Sequence, residues 1–242
     1  MNSKKLNPSN SGQEDFPVAG AKMGKTRTFP VLISAVLPIV ILLALTGCGV
    51  KKKMPIEDAV GFDPGRHRIA SWHELMREKR EVPEMQKLKS VNSFFNRLEF
   101  VEDLIHWGRA DYWASPQEML ASNGGDCEDF ATAKYFTLRQ LNISDEKMCL
   151  IHVKSLKLNQ SHMVLGYYAE PGMDPLVLDN FTDSILPASE RTDLLPIYSF
   201  NGQGFWLNRK RGSQRLGGPE RLSLWQELRS RFNREVIAAP LP

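Results

Sequence analysis

Apolar positions recur along the chain with two spacings, and the change between them predicts the fold. Between residues 86 and 106 they recur every three or four positions, which predicts one long amphipathic helix: Leu88, Val91, Phe95, Leu98, Val101 and Ile105. Further on, runs bounded by turn residues predict strands over 148–154, 162–169, 176–180 and 198–207. Residues 219–236 return to helical spacing. Helices followed by a contiguous set of antiparallel strands predict an α+β fold.

Two helix starts lie between these regions. Ser115 is a capping residue followed by Pro116, and Glu118 completes a capping box, so a short helix is predicted to begin there and to end at Asn123-Gly124. A second helix is predicted to begin at Asp126. Cys127 is then its first residue, where free N–H groups and the helix dipole favour a negatively charged sulfur.

An apolar segment without charged side chains spans residues 29–47 and follows a basic flank, which is the layout of an export signal. Residues 45–48 resemble the lipobox of bacterial lipoproteins, so we expect Cys48 to be lipidated. Met23 is a plausible start. An ordinary signal and an uncleaved anchor remain open, because nineteen apolar residues can span a bilayer. Each alternative puts the following domain outside the cytoplasm, although basic residues 51–53 argue against translocation.

Four parts are predicted along the chain: a targeting segment over 1–50, a tether with one short helix over 51–85, the domain over 86–208 and a basic helical tail over 209–242. Composition is ordinary for a globular protein, with 42% apolar and 24% charged residues. Net charge is +3, but residues 126–193 carry −5 and residues 208–235 carry +5. A basic tail could indicate nucleic acid or anionic lipid. Three glutamates interrupt it, so we expect a solvated helix face and no nucleic-acid partner.

A cysteine nucleophile needs a base, and the base needs a group that orients it. His162 begins one predicted strand and Asp179 ends the next, with a Pro171-Gly172 turn between them. In an antiparallel pair the start of the first strand lies beside the end of the second, so His162 and Asp179 are predicted neighbours. Packing the Cys127 helix across them would complete a Cys–His–Asp triad. His152 is the rival base. It lies in the preceding predicted strand, at the end that does not face an aspartate.

The three cysteines do not form a disulfide framework, because their number is odd and their contexts differ. Cys149 lies within a predicted strand and is expected to be a buried small hydrophobe. Cys127 could be merely buried as well, but the preceding glycines, the cap and the His/Asp pair favour a nucleophile. A zinc site fits poorly, since paired Cys or His spacing is absent from the sequence.

Several motifs in order resemble the bacterial transglutaminase-like cysteine proteinases of the LapG type: GGDCEDFATAKY, HMVLGYY, LVLDN and YSFNGQGFWL, with VNSFFN and WGRADYWASPQEML upstream. The resemblance covers about residues 86–208. It implies a papain-like, transglutaminase-like fold with helices packed on an antiparallel sheet. It also implies a triad of Cys127 as nucleophile, His162 as base and Asp179 as orienting group.

The same resemblance implies a periplasmic endopeptidase that cleaves near the N-terminus of large surface adhesins and thereby releases cells from a biofilm. Such a protease is held inactive by an inner-membrane receptor of the LapD type that responds to cyclic di-GMP. A lipidated Cys48 would depart from the family, whose members are soluble in the periplasm.

The acids around Cys127 also match the family. LapG-type proteases depend on calcium, and Asp126 and Glu128 match their calcium ligands, while Asp129 has less support. Carboxylates close to a thiol raise its pKa by like-charge repulsion, and a hard divalent cation that binds their oxygens cancels the charge. We therefore expect the acids to suppress the nucleophile without calcium and to support it with calcium. The alternative is that Glu128 and Asp129 only complement the helix dipole.

The expected reaction is peptide-bond hydrolysis through a thioester on Cys127, with proton transfer by His162 and its tautomer fixed by Asp179. The backbone N–H of Cys127 is expected to contribute to the oxyanion hole. Two alternatives remain open. One is acyl transfer to an amine by the same triad, as in a true transglutaminase. The other is a non-catalytic binding module of the cell envelope.

Overall fold

The computed structural model describes residues 63–207 and 215–238. These residues belong to one compact unit, which spans Lys53–Pro242. The predicted export signal, Cys48 and the first part of the predicted tether lie outside the described residues and stay predictions. Over the ranges that the structure describes, none of the helices combines the length and apolar character needed to cross a membrane.

Helices come first and strands follow. The helices of the two described ranges are α1 Pro64–Lys79, α2 Glu84–Phe95, α3 Asp103–His106, α4 Pro116–Ser122, α5 Cys127–Gln140 and α6 Ser223–Ala238. The strands are β1 Glu99–Phe100, β2 Gly124–Gly125, β3 Met148–Ser155, β4 Gln160–Tyr167, β5 Leu176–Asp179, β6 Thr182–Pro187, β7 Leu194–Phe200, β8 Phe205–Leu207 and β9 Arg215–Gly217.

Seven strands form one antiparallel sheet in the order β6-β5-β4-β3-β7-β8-β9. β1 and β2 form a separate parallel pair. The predicted α+β fold, with helices packed on an antiparallel sheet, is confirmed. β6 was not predicted. It lies at the edge of the sheet, where a strand that ends in Pro187 is tolerated because its outer N–H groups need no partner.

The main core lies between the helices and one face of the sheet. Every residue of α5 from Asp129 to Leu138 is buried. Leu88 and Phe95 of α2 join Leu150 and Leu165 of the sheet in the same cluster. Burial of each such side chain stabilises the fold by about 1.5–3 kcal/mol relative to exposure. A smaller cluster that includes Cys149 forms separately, so Cys149 is a buried hydrophobe as predicted.

The predicted helix over 86–106 was wrong in its second half, since α2 ends at Phe95. The following backbone pairs with the segment before α5 instead. The N–H of Glu99 donates to the carbonyl of Asn123, and the N–H of Val101 donates to that of Gly125. These partners lie far away in the sequence, so helical spacing alone could not reveal them. The result is that β1 lies beside the residues that lead into Cys127.

Packed structure extends beyond residues 86–208 at both ends. α1 has 16 residues, and its start is explained by Asp63, whose carboxylate accepts the N–H of Gly65 at 2.9 Å. Trp72 of α1 is fully buried and donates to Thr137 Oγ1 of α5 at 2.9 Å. At the other end, α6 buries three apolar side chains, which are Trp225, Leu228 and Phe232. The basic tail therefore contributes to the core through one face.

Candidate active site

Cys127 begins α5 after a sharp change of direction. α4 begins with the predicted capping box of Ser115 and Glu118 and ends at Asn123, which has the left-handed φ of 68°. Asp126 follows β2 in an extended conformation at the N-cap position of α5. A Cβ on Gly125 would collide with the Asp129 carboxylate, so this approach requires glycine. The chain thus delivers the thiol to the N-terminal end of a buried helix.

The thiol of Cys127 lies among acids. Its sulfur donates a hydrogen bond to Glu128 Oε2 at 3.1 Å and accepts one from the backbone N–H of Met163 on β4. Burial raises the pKa of the thiol far above its usual range, and the carboxylates of Glu128 and Asp126 raise it further. The protein groups alone therefore suppress the thiolate, as expected from the sequence.

His162 and Asp179 are hydrogen-bonded neighbours on β4 and β5. Their side chains are buried, and His162 Nε2 lies 2.9 Å from Asp179 Oδ1. The strands pair with Leu165 opposite Leu178, which brings the start of β4 near the end of β5, as the turn between them predicts. The other ring nitrogen of His162, Nδ1, is buried and has no hydrogen-bond partner among the described residues. That nitrogen therefore keeps its hydrogen-bonding capacity unused within these residues.

Two further groups hold the carboxylate of Asp179. Arg191 Nη2 donates to Oδ2 at 2.7 Å, and the N–H of Phe181 donates to Oδ1 at 3.1 Å. Burial alone would raise the pKa of Asp179, but the hydrogen bonds and charge of its partners, His162 first, hold the pKa below its usual range. Arg191 also binds Asp193 at 2.9 Å through two nitrogens. The carboxylate therefore stays ionised with one oxygen facing the imidazole.

A buried lysine faces this pair from α5. Lys134 lies two turns after Cys127 and is 1% exposed. Burial lowers its pKa to about 7, against the opposing effect of the Asp179 and Asp183 charges. Lys134 and Arg191 were not predicted as part of the site, because nothing in their local sequence distinguishes them from ordinary surface cations.

An aromatic pair covers one side of the imidazole. The ring of Phe181 stacks on His162 with centroids 4.6 Å apart and an angle of 26° between the planes. Phe100 of β1 contacts Phe181, with centroids 5.9 Å apart. Phe181 is 48% exposed and Phe100 is 44% exposed. They therefore form an apolar wall that solvent and ligands can reach.

His152, the rival base, lies on β3 and packs edge-on against Tyr198, with ring centroids 4.6 Å apart. Burial, together with the neighbouring His162, lowers its pKa. Asp179 is hydrogen-bonded to His162 and not to this ring. The geometry thus favours His162 as the oriented base.

Asp126 and Glu128 belong to a larger group of carboxylates, which we call the acid cluster: Asp103, Asp111, Asp126, Glu128 and Asp129. Oxygens of Asp103, Asp111 and Glu128 lie within 4.8 Å of one another, as do those of Asp103, Asp126 and Asp129. Asp103 and Asp111 were missed from the sequence, because they come from α3 and the loop after it. The parallel pairing of β1 with β2 brings that segment to the start of α5.

Backbone N–H groups satisfy only part of the acid cluster. Asp129 accepts from Ala114 at 2.6 Å and from Asp126 at 3.3 Å, and Asp103 accepts from Tyr112. One oxygen of Asp103 and one of Asp126 are buried without a hydrogen-bond partner in the described ranges. Burial raises the pKa of Asp126 to about 9, with a further contribution from Glu128. It also raises the pKa of Asp103, Glu128 and Asp129. Such oxygens fit a hard divalent cation.

Known proteins are similar to this chain in both fold and sequence. The family model of the bacterial transglutaminase-like cysteine proteinases, BTLCP, matches residues 69–208. LapG of Legionella pneumophila in its EGTA-treated form is 39% identical with a TM-score of 0.65, over 73% of this chain and 94% of LapG. The calcium-bound form of the same protein is 40% identical with a TM-score of 0.64, at the same coverage. A search of curated proteins found no match.

Proposed function

Because the chain belongs to the bacterial transglutaminase-like cysteine proteinases, we propose that it is a calcium-dependent endopeptidase with a triad of Cys127, His162 and Asp179. The observation that carries this proposal is the buried hydrogen bond between His162 and Asp179. The unpartnered Nδ1 belongs to His162. The next residue, Met163, contacts the Cys127 sulfur through its backbone N–H. A nucleophile, a base and a group that orients the base are the parts that thiol catalysis needs.

The proposed reaction runs through a thioester. The Cys127 sulfur forms a bond with the substrate carbonyl carbon while its proton passes to His162 Nδ1. The imidazolium then gives this proton to the leaving amine as the peptide bond breaks. In the second half, His162 takes a proton from water as the water oxygen attacks the thioester carbon. The C–S bond then breaks, the new C-terminal carboxyl group of the substrate leaves, and the imidazolium returns its proton to the Cys127 sulfur. Asp179 holds the hydrogen on Nε2, and the backbone N–H of Cys127 stabilises the oxyanion.

Calcium fits the acid cluster of this protein. Asp126 and Glu128 would hold the ion, with Asp103, Asp111 and Asp129 close enough to contribute. The buried, unpaired oxygens of Asp103 and Asp126 support this assignment. When bound, the ion would neutralise the negative charge around the thiol and so lower its pKa. The existence of LapG in calcium-bound and EGTA-treated forms supports the same assignment.

The proposed substrate is the N-terminal region of a large surface adhesin, and its cleavage would release cells from a biofilm. We place this activity in the periplasm, under the control of an inner-membrane receptor of the LapD type that responds to cyclic di-GMP. Support comes from the motif resemblance to LapG-type proteases and from the export-signal pattern of residues 29–48. Cys48 would anchor the enzyme to a membrane if the lipobox is used.

The test is incubation of the purified protein with N-terminal fragments of candidate adhesins, in calcium or in EGTA. We expect one cut in calcium only, and we expect C127A, H162A and D179A each to abolish it while leaving the domain folded. Cys149→Ala is the matched control and should still cut, because Cys149 lies in a separate buried cluster.

Each other result has a definite meaning. Cleavage by C127A would contradict the nucleophile assignment. A cut in both calcium and EGTA would end the calcium proposal and leave the peptidase proposal standing. Incorporation of a labelled primary amine at the cleaved bond would indicate acyl transfer by the same triad. A folded wild-type protein whose Cys127 resists thiol-reactive probes in calcium would indicate a binding module.

A further inference from the structure

Residues 111–115, which we call the strap, hold part of the acid cluster through their backbone. The N–H of Tyr112 donates to the carboxylate of Asp103, and the N–H of Ala114 donates to Asp129 Oδ1 at 2.6 Å. Within the strap, the indole N–H of Trp113 donates to Asp111 Oδ1 at 3.0 Å. Three acids of the cluster therefore depend on the path of these five residues.

The other side of the strap contacts α6. Arg231 donates to the backbone carbonyl of Trp113, and its guanidinium carbon lies 4.8 Å from the ring centroid of Tyr112. Ser115 Oγ donates to Glu235 Oε1 at 2.7 Å. The strap thus connects the acid cluster to two charged side chains of one helix.

The same arginine is also tied to the start of α4. Arg231 Nε lies 3.2 Å from Glu118 Oε2, which accepts the N–H of Ser115 at 2.8 Å. Arg231 is mostly buried, with a side chain 18% exposed, so these contacts are partly shielded from solvent. The hydrogen bond from Arg231 to the Trp113 carbonyl is charge-assisted, and such bonds are about twice as strong as neutral ones.

α6 gives Arg231 and Glu235 a rigid base. Phe232 of α6 stacks on Phe136 of α5 with centroids 4.2 Å apart, and Trp225 donates to the carbonyl of Asn201 at 3.2 Å. α5 begins at Cys127. The helix that carries Arg231 and Glu235 therefore packs on the helix that carries the thiol. α6 lies beyond residues 69–208, which the family model matches.

We propose that Arg231 and Glu235 are positioning residues for calcium, an inference that rests on the proposed calcium site. They fix the strap, and the strap orients the carboxylates of Asp103, Asp111 and Asp129. A loose strap would have to be ordered when the ion binds, and this ordering costs affinity. Groups that orient metal ligands typically change metal affinity by about 10–100-fold when they are removed.

Calorimetric titration of calcium into the EGTA-stripped full chain tests this inference. We expect R231M to bind calcium roughly tenfold more weakly than the wild type. R231K should recover part of the loss, because a lysine keeps the charge without the planar fork. R234M removes the same charge from an exposed position of the same helix and should bind like the wild type.

A second variant and a stability control keep the result interpretable. Glu235→Ala leaves the Ser115 hydroxyl without its acceptor and should also weaken calcium binding. Thermal unfolding in EGTA shows which variants are folded at the titration temperature, so a merely destabilised variant is recognised by its lower midpoint and unchanged affinity. Wild-type affinity in R231M, or in E235A where R231M does not fold, overturns the inference. Failure of the wild type to bind calcium instead contradicts the proposed calcium site.

Discussion

Two carboxylates of the site, Asp179 and Asp126, have environments that change their pKa values in opposite directions. Asp179 accepts hydrogen bonds from His162, Phe181 and Arg191, and its pKa stays below the usual range. Asp126 has a buried oxygen without a partner in the described ranges, and burial raises its pKa to about 9. Asp179 therefore stays ionised beside the imidazole. Asp126 lacks such partners, and a proton or a bound cation would satisfy its buried oxygen.

The buried side chain of Lys134 should make the stability of the protein depend on pH. Burial lowers its pKa from 10.5 to about 7 in the folded protein, so between these values the unfolded chain binds more protons than the native state. The free energy of unfolding contributed by Lys134 therefore rises with pH across this window. Lys134→Met removes the buried charge, and we expect it to be more stable than the wild type by a few kcal/mol at about pH 6, since each pKa unit is worth about 1.4 kcal/mol.

Urea unfolding of the two proteins across pH checks this prediction. The stability gain of Lys134→Met should shrink as the pH rises from about 7 towards 10.5, because the wild-type lysine then becomes neutral in the native state. A difference that is constant with pH would contradict the assignment of a buried lysine with a lowered pKa.

The connection between β6 and β7 acts on the end of β5 through Arg191. Replacement by Gln leaves Asp179 Oδ2 without its cationic partner, so the pKa of Asp179 should rise. We expect kcat on a cleavable adhesin fragment to fall roughly tenfold with little change in KM, because His162 loses part of its orientation. The acid limb of the pH profile should move to higher pH, since a protonated Asp179 no longer supports the imidazolium.

Asp193→Asn is the matched control for R191Q. It removes the other acidic partner of Arg191 and leaves the contact between Arg191 and Asp179. We expect a pH profile like that of the wild type. An R191Q enzyme with the wild-type profile would show that Arg191 serves folding alone.

Local patterns in the sequence predicted helix ends correctly. They failed where pairing with residues far away in the sequence determines the secondary structure. The Ser115 capping box and the end of that helix at Asn123 follow from side-chain chemistry within a few residues, and they appear as predicted. Leu98 and Val101 continue the helical spacing of α2, but their segment pairs with residues 123–125. Tertiary pairing overrides local preference in such cases, and a single sequence does not contain it in readable form.

At the scale of the whole molecule, the fold collects the site from distant parts of the chain. His162 and Asp179 could be predicted as neighbours, because each lies near the end of a strand and one turn connects them. Asp103, Asp111 and Arg191 come from loops or short elements without a periodic pattern, so no spacing rule points to them. α6 was predicted as a helix, but its contacts with the strap depend on the complete tertiary structure.

If the acid cluster controls the reactivity of Cys127, calcium should change the rate at which iodoacetamide alkylates this thiol. The rate is measured by peptide mass spectrometry in calcium and in EGTA. We predict alkylation about tenfold faster in calcium, because neutralising the acids lowers the pKa of the thiol. Equal rates in calcium and EGTA, with the protein folded in both, would show that the acid cluster does not control Cys127.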